Sequence, residues 1–362
     1  MNEDRSSRYH RLKRTTGIVS LVWSVILLAG LLASGATIFL RDLAGTGALA
    51  IVIYVALLLL LNEIGDLPLA FYSGFLIERR YGLSTEPLGR WLLDQLKSFA
   101  IALVLSSVGA AIVYALIRLS PDGWWLPAGF VFALLIVGLT NLAPVLLLPL
   151  FYRVKPLERE ALHARLIALA ERAGARVLGA YEWGLSEKTR KANAALAGIG
   201  STRRILVSDT MLAEYSDEEI EVVLAHELAH HVHGDIWKGI VFESGLILGG
   251  FYLASRALAA LAPMFGLRGV ADIAGLPLLV LAAGAVSFVM VPVAHAMSRA
   301  FERSADRFAL ALTKNPAAFI SAMKRLAAQN LAEEHPSKIV QVLFYSHPPV
   351  RERIAAAQAF KA

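Results

Sequence analysis

The sequence predicts an α-helical polytopic membrane protein with about six membrane-spanning helices and a small cytoplasmic α/β portion. Of its 362 residues, 57% are hydrophobic and only 18% are charged, whereas about a quarter of a soluble domain is charged. The mean hydropathy of +0.58 excludes a disordered chain, which needs low hydrophobicity and high charge. Because the chain has no cysteine, a disulfide framework and a thiolate metal site are also excluded.

Six apolar runs are long enough to cross a bilayer, which takes about 20 residues. The runs lie at about 17–40, 47–76, 98–117, 124–151, 237–262 and 273–298. The first follows a basic segment and resembles a signal sequence. We interpret it as an uncleaved anchor, because it is longer than the apolar part of a signal peptide and further runs follow it.

The distribution of basic residues predicts the orientation in the membrane. With these six spans, one side carries 31 Lys and Arg residues and the other carries 4, namely Arg41, Arg118, Arg256 and Arg268. The positive-inside rule places the richer side, with both termini, in the cytoplasm. The net charge of +6 therefore reflects topology, and we expect no nucleic-acid partner.

The chain divides into five predicted segments. Short strands are predicted at VLGAYEWG, NAALAG and RRILVSD, and helix breaks near Asn315 and Pro348. The segments are a basic cytoplasmic tail (1–16), a four-span membrane region (17–151), a soluble insertion (152–235), a two-span hairpin (236–300) and a C-terminal helical region (301–362).

A metal-site motif ends the soluble insertion, in SDEEIEVVLAHELAHHVHGD. Ser216 with Glu219 forms a capping box, so a helix begins there. His226 and His230 then lie one turn apart on one face, and both can bind one zinc ion. Glu227 is placed to act as a base toward water, as in the H-E-x-x-H motif of zinc peptidases. The alternative is a histidine-rich polar helix near the lipid headgroups.

A catalytic zinc needs a third protein ligand. The candidate is Glu302 in SRAFERSAD, just after the sixth run. Since two spans form a hairpin, Glu302 returns to the membrane face that carries the two histidines. Asp306 is the alternative ligand, or else the acceptor that orients a ligand histidine. Glu302 could instead be a solvated charge paired with a neighbouring arginine.

Several motifs together resemble the type I CAAX prenyl protease family of integral-membrane zinc metallopeptidases. They cover the chain from about residue 60 to residue 355. The motifs are DLPLAFYSGFLIERRYGLS with WLLDQLK, PLFYRVKPLE, NAALAG with RRILVSDTML, HELAH, FERSAD and YSHPPVRER.

This resemblance implies one zinc ion per chain, bound by His226, His230 and Glu302, with Glu227 as the general base. It also implies that His347 and Arg353 contact the substrate or the tetrahedral intermediate. The strand of Asn193, Ala194, Ala195, Leu196 and Gly198 would pair with the peptide. The alternatives are that His347 and Arg353 only fix the C-terminal helix, and that the strand is an ordinary core strand.

We therefore expect a membrane zinc metalloendopeptidase acting on membrane-associated peptides, with prenylated CAAX-type proteins as the substrates that the resemblance implies. It would lie in the inner membrane of a bacterium or the endoplasmic reticulum of a eukaryote. A general membrane quality-control protease is the first alternative. A non-enzymatic protein with a structural metal is the second, although a closed structural site needs no base such as Glu227.

Overall fold

The computed structural model describes residues 4–47, 49–198 and 203–361. Helices dominate both ends of the chain and a small sheet lies between them. The membrane portion begins with α1 (Arg5–Ala33), α2 (Ala36–Ala44), α3 (Ala50–Ala70), a π-helical stretch (Phe71–Ile77), α4 (Glu78–Arg80), α5 (Leu88–Leu119), α6 (Trp125–Leu142), a second π-helical stretch (Ala143–Leu147) and α7 (Leu148–Phe151). It resumes later with α11 (Asp235–Leu261) and α12 (Leu276–Thr313).

Five helical stretches in the described residues are long and apolar enough to cross a membrane, which confirms the polytopic helical architecture. They are Arg5–Ala33, Ala50–Arg80, Leu88–Leu119, Asp235–Phe265 and Ile273–Thr313. The fourth predicted run contains a shorter apolar helix, Trp125–Thr140, and then continues through the second π-helical stretch into α7.

The first predicted run differs from the structure at both ends. α1 begins at Arg5, so the basic segment predicted as a separate tail is helical. The run also breaks before residue 40, because Gly35 has a left-handed φ of 74° and α2 starts anew after it. The basic end of α1 is held by tertiary contacts: Arg14 Nη1 donates to Glu333 Oε2 at 2.6 Å, and Tyr9 Oη donates to Glu78 Oε1 at 2.6 Å.

A four-stranded sheet forms the scaffold of the soluble portion, in the order β1-β2-β4-β3. β2 and β4 are parallel, and β3 lies antiparallel to β4 at one edge. The predicted short strands are thus present, with β1 in addition. The elements here are β1 (Val154–Pro156), α8 (Glu160–Arg172), β2 (Ala180–Trp183), β3 (Ala194–Ala197), β4 (Arg204–Ser208), α9 (Asp209–Glu214) and α10 (Asp217–Val232).

α10 is the central helix of the soluble core. Its predicted capping box is present: Glu219 N donates to Ser216 Oγ at 3.3 Å, and Ser216 N donates to Glu219 Oε2 at 2.9 Å. Its apolar face is buried against α8 and α13 (Pro316–Gln329). The C-terminal region continues with α14 (Lys338–Phe344), which packs on α12, and α15 (Val350–Gln358), which packs on α13.

The hairpin of α11 and α12 returns the chain to α10. α12 has 38 residues, or about 57 Å at 1.5 Å per residue, which exceeds the roughly 30 Å hydrocarbon core of a bilayer. Its last turns therefore extend beyond the membrane and pack on α10. The two helices approach closely at Gly250, where a Cβ atom would lie 3.4 Å from the backbone of Ala283.

Replacing Gly250 with leucine is expected to destabilise the fold by about 1–3 kcal/mol, because the added side chain overpacks the α11–α12 contact. Gly245→Leu is the matched control on the same helix, since a Cβ there meets no atom within 4 Å. Thermal unfolding of the detergent-solubilised variants measures the difference. Equal midpoints for the two variants would show that the close approach at Gly250 is dispensable.

Candidate metal centre and active-site cleft

The structure brings together the three side chains that the sequence predicts as metal ligands. His226 and His230 come from α10, Glu302 comes from α12, and one potential ligand atom from each lies within 4.8 Å of the others. His226 Nε2 is 3.2 Å from Glu302 Oε2, and His230 Nε2 is 3.4 Å from Glu302 Oε1. The Nε2 atoms of both imidazoles therefore face one carboxylate.

A further carboxylate contacts each histidine at Nδ1, on the side of the ring away from Glu302. Asp306 Oδ1 lies 2.9 Å from His226 Nδ1, and Asp235 Oδ2 lies 3.0 Å from His230 Nδ1. A proton on Nδ1 satisfies each contact and leaves the Nε2 lone pair directed at the centre, which is how ligand histidines are held in metal sites. Asp306 thus occupies the orienting position that the sequence allowed for it.

The donor set fits a divalent metal ion. Glu302 Oε2 is buried and has no hydrogen-bond partner among the described residues, and burying such an atom is costly unless something pairs with it. Burial lowers the pKa of His226, but the Asp306 and Glu302 carboxylates outweigh it and raise this pKa to about 9. The surroundings therefore favour positive charge at the centre, and imidazole with carboxylate suits transition metals.

Arg353 is almost buried and is committed to another protein side chain. Its Nε donates to Asp306 Oδ2 at 2.8 Å, and its Nη2 donates to Asp306 Oδ1 at 2.6 Å. Arg353 thus links α15 to the carboxylate that orients His226. It also lines the cleft, and Asp306 takes only two of its five N–H groups, so its contact with the substrate stays a prediction.

Glu227 and His347 line the same cleft as the candidate metal ligands His226 and Glu302. The cleft has a volume of about 370 Å³. Glu227 makes no hydrogen bond to any described residue, and burial raises the pKa of its carboxyl group. His347 Nε2 lies 3.3 Å from Glu302 Oε1, and its side chain is 60% exposed. Both groups are therefore open to a molecule in the cleft.

The predicted substrate strand meets the cleft at one end. Asn193 and Ala194 line the cleft, whereas Ala195 and Leu196 lie further along β3, paired with β4, and are not among its lining residues. Gly198 follows the strand with a φ of 94° and lines a separate small depression beside His230. β3 is the terminal strand of the described sheet, so one of its edges is not paired within that sheet.

Two residues of the site escaped the sequence analysis. Asp235 follows Gly234, whose left-handed φ of 67° lets the chain reverse between α10 and α11. A Gly-Asp pair directly after the histidine helix could have indicated it. His10 of α1 also lines the cleft, and its Nε2 lies 2.8 Å from the carbonyl oxygen of Leu331. It is more than 200 residues from the motif, and no local pattern marks it.

Comparisons with known proteins identify the family of this chain. The profile of peptidase family M48 matches residues 156–361, and that of the CAAX prenyl protease N-terminal region, described as five membrane helices, matches residues 2–153. The chain is 32% identical to the uncharacterized metalloprotease YhfN of Bacillus subtilis, over 84% of this chain and 72% of that protein. It is 27% identical to CAAX prenyl protease 1 of Saccharomyces cerevisiae, over 84% and 71%.

The crystal structure of S. mikatae Ste24p has the same fold. Its TM-score is 0.88 at 22% sequence identity, covering 98% of this chain and 88% of that one. The M48 profile spans more than half of the present chain, and the membrane helices precede and interrupt the matched region. The chain therefore belongs to peptidase family M48, and it is a multi-pass membrane metalloendopeptidase.

Proposed function

We propose that the protein is a zinc-dependent endopeptidase that cleaves membrane-associated peptides, in particular prenylated CAAX-type C-termini. The observation that carries the proposal is the convergence of His226 Nε2, His230 Nε2 and the Glu302 carboxylate beside Glu227. Several relatives, from yeast to plants, are named CAAX prenyl protease 1 or its homologue. Their names support the substrate class proposed here.

Zinc is the metal that best suits two imidazoles and one carboxylate with a fourth position left for a reactant. His226, His230 and Glu302 would hold it, and Asp306 and Asp235 would fix the two imidazoles. When bound, the ion acts as a Lewis acid that lowers the pKa of water and polarises a peptide carbonyl group. We expect one ion per chain.

The remaining chemistry belongs to side chains of the cleft. Glu227 takes a proton from the attacking water and delivers it to the leaving amine, and a carboxyl pKa raised by burial suits that exchange near neutral pH. His347 donates a hydrogen bond to the oxyanion that develops on the substrate carbonyl oxygen. The edge of β3 at Asn193 and Ala194 holds the peptide in an extended form. Arg353 fixes Asp306.

The cleft faces the cytoplasm in this proposal. α10 ends just before α11 enters the membrane, and Glu302 follows the return through α12, so the site lies on the side that carries 31 of the 35 basic residues. The positive-inside rule supports a cytoplasmic position for that side. Membrane-anchored substrates would then reach the cleft from the cytoplasmic leaflet.

Cleavage assays with purified full-length protein test the proposal. Wild type should cleave a farnesylated CAAX-type peptide at least about tenfold more efficiently than the same peptide without the lipid, given roughly 0.8 kcal/mol per buried methylene. A chelator should stop cleavage of both. Glu227→Gln should retain zinc and lose about 10²–10⁴-fold in turnover, because it removes the proton acceptor.

Two outcomes would contradict different parts of the proposal. Equal cleavage of lipidated and unlipidated peptides would exclude the prenyl preference and favour a general quality-control protease. Turnover of Glu227→Gln close to wild type would exclude Glu227 as the base.

Removing an orienting carboxylate should weaken zinc binding without abolishing it. We expect Asp235→Asn to lower the affinity about 10–100-fold, whereas His230→Ala, which removes a ligand, should leave no stoichiometric metal. Competition with a chelating dye measures both. If Glu302→Ala retains full zinc affinity, then Glu302 is not the third ligand and Asp306 becomes the candidate.

His347→Ala should retain zinc and thermal stability but lose about 10²–10³-fold in kcat, as expected for the loss of an oxyanion donor. A role limited to fixing the C-terminal helix would give another result, namely earlier melting with unchanged turnover. Parallel measurements of kcat, zinc content and the unfolding midpoint separate these two roles.

A further inference from the structure

A second cavity lies at the opposite end of the membrane helices from the metal centre. It has a volume of about 440 Å³ and is formed where the loop between α2 and α3, the end of α5 and the turn before α12 meet. Three arginines line it together with glycines and one aspartate. We call it the distal cavity: Arg41, Gly45, Thr46, Gly47, Ala50, Ile51, Arg118, Arg268, Ala271, Asp272 and Ile273.

The arginines are concentrated here on a face that is otherwise poor in basic residues. The sequence places only four Lys or Arg residues on this side of the membrane, and three of them line this one cavity. The fourth, Arg256, lies outside it. The other side carries 31 basic residues, which is enough to set the orientation. The positive-inside rule therefore does not explain why three of the four remaining arginines lie together.

Two acidic groups, Asp272 in the cavity and Asp42 beside it, do not neutralise all three guanidinium groups. Asp272 accepts hydrogen bonds from Arg41 Nη1 at 2.6 Å, from the Arg268 backbone N–H at 2.9 Å and from the Ala274 N–H at 3.0 Å. Asp42 faces Arg41 at 2.9 Å and Arg268 at 3.5 Å. Three positive charges thus meet two negative ones.

Arg118 carries the excess charge. It forms no ion pair with any residue that the structure describes, and it is exposed at the rim of the cavity. Arg41, in contrast, is buried. It makes one contact through each of its three guanidinium nitrogens, which leaves two of its five N–H groups free to donate. The cavity therefore presents positive charge together with unused N–H donors.

Two glycines line the cavity together with the arginines. Gly45 and Gly47 have φ values of 76° and 103°, which a residue with a side chain rarely adopts. These two glycines bend the chain around the cavity and leave room for a ligand to approach. Large apolar side chains are exposed nearby on α2, after it and at the end of α5, namely Phe39, Leu43, Leu49 and Leu119.

We propose that the distal cavity binds a phosphate group, either as a free anion or as the headgroup of a glycerophospholipid. Guanidinium groups donate paired hydrogen bonds to phosphate oxygens, and such charge-assisted bonds are about twice as strong as neutral ones. The bound phosphate balances the charge of Arg118 and Arg268 and ties together α2, α5 and the start of α12. This site is independent of the proposed peptidase function.

Thermal unfolding of the full-length protein in a maltoside detergent tests this proposal. The probes are sodium phosphate against sodium chloride at equal ionic strength, and dihexanoyl phosphatidylglycerol against dihexanoylglycerol. A phosphate-bearing ligand should raise the unfolding midpoint as its concentration rises. Arg118→Gln and Arg268→Gln should each weaken the apparent affinity about tenfold, through loss of charge-assisted hydrogen bonds. Arg256→Gln, on the same face but outside the cavity, should leave it unchanged.

The probes also identify the source of the phosphate. Stabilisation by phosphatidylglycerol alone supports a lipid headgroup, and stabilisation by both phosphate compounds supports a site open to the free anion. The proposal is overturned if neither compound stabilises the protein beyond its matched control. It is also overturned if the two cavity variants bind as tightly as Arg256→Gln.

Discussion

The molecule depends on one constraint: the chain must cross the membrane and return between His230 and Glu302 before the three ligands can meet. The two histidines lie on α10, which precedes the α11–α12 hairpin, and the carboxylate lies on the returning helix. α11 and α12 approach closely at Gly250, and the end of α12 packs on α10. There Glu302 Oε2 lies 3.2 Å from His226 Nε2.

Buried charges extend this constraint to the C-terminal helices. Arg353 of α15 holds Asp306, and Asp306 in turn faces His226. A buried ion pair is weak evidence for stability, because desolvation offsets much of the attraction, but removing one partner leaves an unpaired charge and is costly. We therefore interpret the Arg353–Asp306 ion pair as a contact that fixes the orientation of His226. On the other histidine, Asp235 plays the same part and forms the first turn of α11, so membrane and soluble elements both contribute to the site.

The sequence was sufficient wherever a local pattern or the chain topology decided the outcome. The capping box at Ser216 fixed the start of α10, the four-residue spacing placed His226 and His230 on one face, and counting spans brought Glu302 to the same side. Contacts between distant segments could not be predicted in this way. His10 reaches the cleft from α1, and the Arg353 guanidinium is taken up by Asp306. The break at Gly35 was also missed, because a glycine inside a long apolar run does not by itself end a helix.

X-ray absorption at the zinc edge of the purified protein measures directly whether one metal ion joins α10 to α12. We expect one zinc per chain with two imidazole nitrogens and carboxylate oxygen at about 2.0–2.1 Å. Glu302→Gln should change the oxygen shell while the two-histidine scattering remains. A spectrum with fewer than two histidines, or one that Glu302→Gln leaves unaltered, would show that His226, His230 and Glu302 do not share one ion.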